Sequence, residues 1–184
     1  MGYSALPEPM LARSGRLLMS GDFAYEVKWD GFRAIVSTEG PLRVRSRRGW
    51  NMTEHVQFLA ALPVRAVLDG EIVAFDDGMT PDFPLLCECV LHRRPSVPLT
   101  FIVFHVLSVE RRSVIPEPYS KRRLILEQMG LVGPRGHTTD SFDDGAAVWD
   151  AVCEHELEGV VAKRRSDRYA SGERRWIKTK NRGY

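Results

Sequence analysis

The stretch FAYEVKWDGFRAIVST, residues 23–38, decides how this chain is read. FAYEVKW (23–29) is aromatic and β-branched, which predicts a strand. Asp30-Gly31 is a tight-turn dipeptide, and FRAIVST (32–38) predicts a second strand. Glu39-Gly40-Pro41 turns the chain again, and LRVRSR (42–47) alternates apolar and basic residues at period two. Residues 23–47 are therefore expected to form an antiparallel meander. Lys28 closes the first strand, directly before the turn. One explanation is a solvated hairpin lysine. The other is chemical: a desolvated lysine beside other cations loses its proton more readily and becomes a nucleophile. Residues 28–33 alone leave both open.

Outward from this stretch, residues 1–21 carry Pro7, Pro9, Gly15 and Gly21 and read as an irregular lead-in. Thr53 is expected to cap a helix to Leu62, with Val56, Leu59 and Ala60 on one face, and Pro63 stops it. Residues 66–75 read as strand around Asp69-Gly70, and Asp77-Gly78 as a turn. A helix is predicted over 83–92 and an apolar strand over 98–109. Ser120 is expected to cap a helix that ends at Gly130. Asp143 or Asp144 opens another to about residue 155, with Val148 and Val152 one turn apart. GVVAKR (159–164) and RRWIKTK (174–180) are the last strands. The class is α+β, mainly antiparallel β-sheets flanked by helices.

Composition bounds the function. The chain has 184 residues, 43% hydrophobic and 27% charged, enough for a folded core without metal or disulfide staples. A net charge of +2 permits a nucleic-acid partner without demanding one. Three cysteines, Cys87, Cys89 and Cys153, make no disulfide framework and fit a reducing cytoplasm. The N-terminus lacks a signal layout, and no apolar run approaches the roughly 18–20 residues of a membrane span. Membrane insertion and secretion are therefore not expected. Cys87-x-Cys89-x2-His92 lacks structural-zinc spacing and reads as a helix with buried thiols. Glu154-His155-Glu156 lacks the second histidine of a zinc-protease motif. Arg111-Arg112 and Lys121-Arg122-Arg123 read as solvated faces.

Lys28-x-Asp30-Gly31-x-Arg33 resembles the first motif of the covalent nucleotidyltransferases, the superfamily of DNA ligases, RNA ligases and mRNA capping enzymes. Four more segments match in order. Ser46-Arg47-Arg48-Gly49 resembles the S-R-x-G segment, and Asp69-Gly70-Glu71 the D-G-E strand motif. Glu158-Gly159-Val160-Val161-Ala162-Lys163 resembles E-G-[V/L]-[V/M]-x-K, and Trp176-Ile177-Lys178-Thr179-Lys180 resembles W-x-K-x-K. Together they span residues 28–180. The lead-in LPEPMLARSG followed by YEVKWDGFRA is similar to bacterial ATP-dependent DNA ligases, including the ligase module of end-joining ligases.

This resemblance implies the ATP-grasp-like nucleotidyltransferase fold and a reaction. Lys28 attacks the α-phosphate of ATP, pyrophosphate leaves, and lysyl-AMP remains. AMP then passes to a DNA 5′-phosphate, and a 3′-hydroxyl displaces it to seal the nick. An ammonium cannot attack, so Lys28 must lose its proton, helped by Lys163, Lys178, Lys180 and a metal ion. Lys178 and Lys180, at i and i+2 on a strand, share a face and suit the charge building on phosphate. Glu71 and Glu158 are hard oxygen donors suited to Mg²⁺ or Mn²⁺. By the same resemblance Glu71 and Arg33 touch ribose, and Arg47 holds ribose or the 5′-phosphate. Phe104 and Val161 wall the purine, while Glu26, with Val27 beside it, faces the adenine amino group. By itself Phe104 reads more readily as core, and Trp176 as packing.

Three positions depart from the family pattern. His105 stands where many ligases have Asp, Arg48 where Asn is common, and the stretch from Tyr169 to Trp176 is short. Residues 1–184 are expected to form one adenylation domain. Family ligases continue past the last motif into an OB-fold domain that this chain does not contain. Slow self-adenylation and poor nick sealing alone are therefore expected. The expected partners are nicked duplex DNA, held weakly, and other end-joining repair domains. The expected state is a monomer in a bacterial cytoplasm, associated with the nucleoid.

Overall fold

The computed structural model describes residues 5–18, 21–77, 79–94 and 97–184. Among these, two sheets face each other. The first contains β1 (Leu11–Ser14) and β2 (Phe23–Val27). The second takes β3 (Phe32–Ser37), β4 (Arg43–Ser46), β5 (Ala66–Ala74), β6 (Leu99–Val109), β7 (Arg112–Ser113) and β8 (Gly136–Thr138). The chain then returns to the first sheet with β9 (Gly159–Arg164) and β10 (Arg174–Lys180). The strand orders are β1-β10-β9-β2 and β4-β3-β5-β6-β7, with β8 beside β6. Helix α1 (Phe83–Val90) packs on β5, α2 (Tyr119–Gln128) on β6, and α3 (Gly145–Glu154) on β2 and β9. The α+β expectation is met.

The period of two on β3 and β5 sorts side chains between two layers. Ala34, Val36, Leu68 and Ile72 enter the outer core, which α1, α2 and residues 52–62 cover. Ile35 and Val67 instead join Met10, Leu107, Tyr169 and Trp176 between the two sheets. Phe23, Tyr25, Val148, Val152 and Val160 form a third cluster under α3. Asp144 caps α3 by accepting from the N–H groups of Ala146 and Ala147.

Several expectations are corrected. Of the meander expected over residues 23–47, the antiparallel β3–β4 pair holds, but β2 pairs with β9 and not with β3, whose other neighbour is β5. Asp30-Gly31 is a crossover between sheets, not a hairpin turn. Gly31 is required there by close approach, since a Cβ would fall inside the contact shell of the Ile72 carbonyl oxygen. The lead-in is not wholly irregular, because β1 pairs in parallel with β10. Residues 53–62 form two short 3₁₀ segments in place of an α-helix. The Thr53 hydroxyl accepts from the Val44 N–H at 2.9 Å, and Ala60 is exposed. Ser120 lies inside α2, whose preceding residue is Pro118. Arg122 is 1% exposed, its Nη1 donating to the carbonyls of Glu117 and Asp167, so it is not part of a solvated face, whereas Lys121 beside it is exposed. Of Cys87 and Cys89, only Cys89 is fully buried. The turn expected at Asp77-Gly78 reaches Gly78, outside the described residues.

Candidate active site

The two sheets enclose a cleft of about 550 Å³. Glu26, Val27, Lys28, Arg33, Arg47, Glu71, Phe104, Val161, Lys163 and Lys178 all line it. Their sources are β2 and the crossover, β3, the segment after β4, β5, β6, β9 and β10. Glu158 and Lys180 stand just behind this lining. Glu158 is ion-paired with Lys28, and Lys180 reaches its other oxygen at 2.8 Å.

The position of Lys28 follows from backbone geometry. Its N–H donates to the Gly159 carbonyl at 2.8 Å, extending β2 against β9 just before the chain crosses over. Gly159 has φ +153°, and a Cβ there would collide with the Thr179 carbonyl oxygen, so β10 lies tight against it. That closeness sets Lys178 opposite Val161 and Lys180 opposite Gly159. The Lys178 ammonium is pushed down by desolvation and then by Lys28, Lys180 and Arg47. Lys180 is pushed up by its hydrogen bond to Glu158. A cluster of cations thus surrounds one carboxylate, and an anionic ligand would relieve their repulsion.

Phe104 reaches the cleft through a β-bulge. The β5–β6 register jumps between Asp69↔His105 and Gly70↔Val103, leaving Phe104 without a cross-strand partner. Its ring is half-buried and faces the cleft from the second sheet, while Val161 faces it from the first. Phe104 thus packs against the core between the sheets, as its own sequence reading expects, and also lines the cleft. Trp176 packs as expected, 3% exposed, with its edge also at the cleft.

Behind the wall runs a buried polar network. The Lys163 ammonium is ion-paired with Glu26 and lies 4.6 Å from the ring centroids of Phe104 and Trp176. Glu26 accepts from the Tyr119 hydroxyl on its other oxygen at 2.8 Å. Arg33 grips Asp69 through Nε at 2.9 Å and Nη2 at 2.7 Å. Both Glu26 and Arg33 therefore already have protein partners. Glu71 lies across from Arg33 on β5, and desolvation pushes its carboxyl up to about 8. Among the described residues no three His, Cys, Asp or Glu side chains cluster as a ready metal cage. Glu71 and Glu158 are hard oxygen donors of the kind that Mg²⁺ takes together with water.

Sequence reasoning missed Leu11, Ala12, Phe32, Trp50, Phe83 and Leu91 in the lining, and Tyr119 and Tyr169 in the support. The apolar character of the lining residues carries no mark of a site. The two tyrosines act across 93 and 100 residues of sequence, which no local pattern reveals.

The fold is α+β, with a lysine presented by a strand end into a cleft that other cations also line, between two curled sheets. A family profile described as "ATP dependent DNA ligase domain" matches residues 9–180, and the chain belongs to that family. It is 37% identical over 195 residues to the "Multifunctional non-homologous end joining protein LigD" of Mycolicibacterium smegmatis, covering 96% of this chain and 24% of that protein. It superposes on the ligase domain from M. tuberculosis LigD with a TM-score of 0.83 at 32% identity, covering 95% of this chain and 59% of that one. A mycobacterial DNA ligase D complexed with ATP and MES gives a TM-score of 0.82 at 32% identity, with 95% and 60% covered. The chain thus spans about a quarter of the curated relative and three fifths of the solved ligase chains. No described helix is long and apolar enough to cross a membrane.

Proposed function

We propose that this domain adenylates itself on Lys28 with ATP, and that the AMP is destined for the 5′-phosphate of nicked DNA. The observation that carries the reading is Lys28 itself, held in the cleft by Glu158 with Lys178 lining the same wall. Lys28 Nζ donates to Glu158 Oε2. Attack requires this pair to part and a proton to leave Nζ for solvent water. The Lys28 nitrogen then bonds to the α-phosphorus, and the bond to the pyrophosphate oxygen breaks. Lys178 and Arg47 line the cleft as cationic partners for the phosphate oxygens. The purine has its slot between Phe104 and Val161, with Lys163, Glu26 and Val27 at its edge. Arg33 and Glu71, adjacent across β3 and β5, serve the ribose. Glu71 and Glu158 would hold the divalent cation, which supplies neutralisation of phosphate charge when bound.

The reading extends to residues 1–184 as one adenylation domain, which charges Lys28 slowly and seals nicks poorly. A net charge of +2 supports this, because a firm grip on duplex phosphates takes more Lys and Arg. The relatives named for end joining make other repair domains the fitting partners. The test is intact mass before and after ATP with Mg²⁺, then after pyrophosphate. The expected gain is about 329 Da, reversed by pyrophosphate and absent in Lys28→Ala, as covalent nucleophilic catalysis requires. Adenine nucleotide binding without any gain in mass would leave a binding module and defeat the proposal.

A further inference from the structure

Met10 is pinned with unusual completeness. Its side chain is fully buried, and its Sδ accepts from the Ala170 N–H at 3.3 Å. Its own N–H donates to the Tyr169 hydroxyl at 2.9 Å, and its carbonyl accepts from Arg33 Nη2 at 2.6 Å. The Tyr169 hydroxyl in turn donates to Asp69 Oδ2 at 2.6 Å. Both backbone groups of one residue are thus held by side chains from β3 and from the loop before β10, locked together by the β5 carboxylate. The next two residues, Leu11 and Ala12, line the cleft, whereas Met10, Asp69 and Tyr169 do not. Ala12 packs in the same apolar cluster as Phe104, Val161 and Trp176. Yet β1 is a four-residue edge strand with a register irregularity between Leu11 and Ala12. A short edge strand of this kind is among the first elements to open.

We propose that Tyr169 is a positioning residue for nucleotide binding. Acting through Met10, its hydroxyl holds Leu11 and Ala12 as an apolar wall beside the purine slot. This rests on the nucleotide reading of the cleft. The chemistry at Lys28 lies elsewhere, so the clamp governs how well ATP is held and not how fast the held ATP reacts.

Tyr169→Phe keeps the ring against His105 and Trp176 and deletes only the hydroxyl. In Lys28 labelling, the apparent KM for ATP should rise about tenfold while the rate at saturating ATP stays within about twofold. Leu11→Ala, which trims the wall directly, should also raise KM. The double variant should exceed the worse single by little, because both act on one wall. Amide hydrogen exchange at Leu11–Ser14 should quicken in Tyr169→Phe without nucleotide and slow in the unaltered chain when ATP is added. An unchanged KM overturns the proposal, even if exchange quickens, because β1 is then structural only. A fall in saturating rate at constant KM also overturns it. If Tyr169→Phe does not fold, failure of ATP to slow exchange at Leu11–Ser14 in the unaltered chain overturns it by itself. Should the unaltered chain bind ATP without labelling, the catalytic reading falls, and ATP titration of Tyr169→Phe then decides the wall.

Discussion

His105 has a buried imidazole placed among positive charges. Its ring lies 4.7 Å from that of Trp176 and is flanked by Tyr119 and Tyr169, while Nδ1 faces the Lys163 ammonium at 3.5 Å. Desolvation, reinforced by Lys163, Arg122, Arg33 and Arg123, pushes its pKa well below 6.5. The folded chain therefore takes up this proton later than the unfolded chain as pH falls. The stability owed to a neutral His105 is complete above about 6.5 and is lost on acidification towards the lowered folded value. Urea denaturation at pH 7 and pH 5.5 should give the unaltered chain a steeper loss than His105→Gln, by about 1 kcal/mol per pH unit. Equal slopes would mean that the imidazole titrates freely. A ligase of this family with Asp at this place would bring charge to the network where histidine brings none.

At the scale of elements, the decisive feature is the crossover at Lys28–Gly31. It carries the chain from one sheet to the other and leaves the lysine at the seam. Gly31→Ala should cost about 2–4 kcal/mol, because the new methyl meets backbone that cannot move aside, and it should slow Lys28 labelling in the fraction that folds. Denaturation and labelling of the same preparation check both effects, and a fully stable, fully active Gly31→Ala would show that the seam gives way. Sequence patterns located the individual strands well, β9 and β10 to the residue. They failed where partners were chosen: local turn chemistry at Asp30-Gly31 favours a hairpin, but β2 finds its register on β9, more than a hundred residues away. The 53–62 segment went astray similarly, because the Thr53 hydroxyl serves β4 and does not cap a helix.

Across the whole molecule, 26 basic and 24 acidic residues leave little field to hold a polyanion. Arg47 and Arg48 are exposed and line the cleft. Nicked duplex should bind this chain weakly, losing about ten- to fortyfold in affinity between 50 and 200 mM salt, as expected for about two or three phosphate contacts. Fluorescence anisotropy on a labelled nick reads this directly. A loss of about a thousandfold would mean a far larger basic footprint than the structure presents.

The sequence by itself determined the α+β class, because strand period is a local property, and it carried the motifs whose family resemblance implies roles for Lys28, Glu71, Glu158, Lys178 and Lys180. It also placed the charges. Which sheet each strand joins, the bulge that leaves Phe104 without a cross-strand partner, the burial of Arg122 and the clamp on Met10 were decided only in three dimensions. The reason is physical: each depends on a hydrogen-bond partner or a packing neighbour distant in sequence, and burial makes that partner compulsory wherever a polar group leaves water.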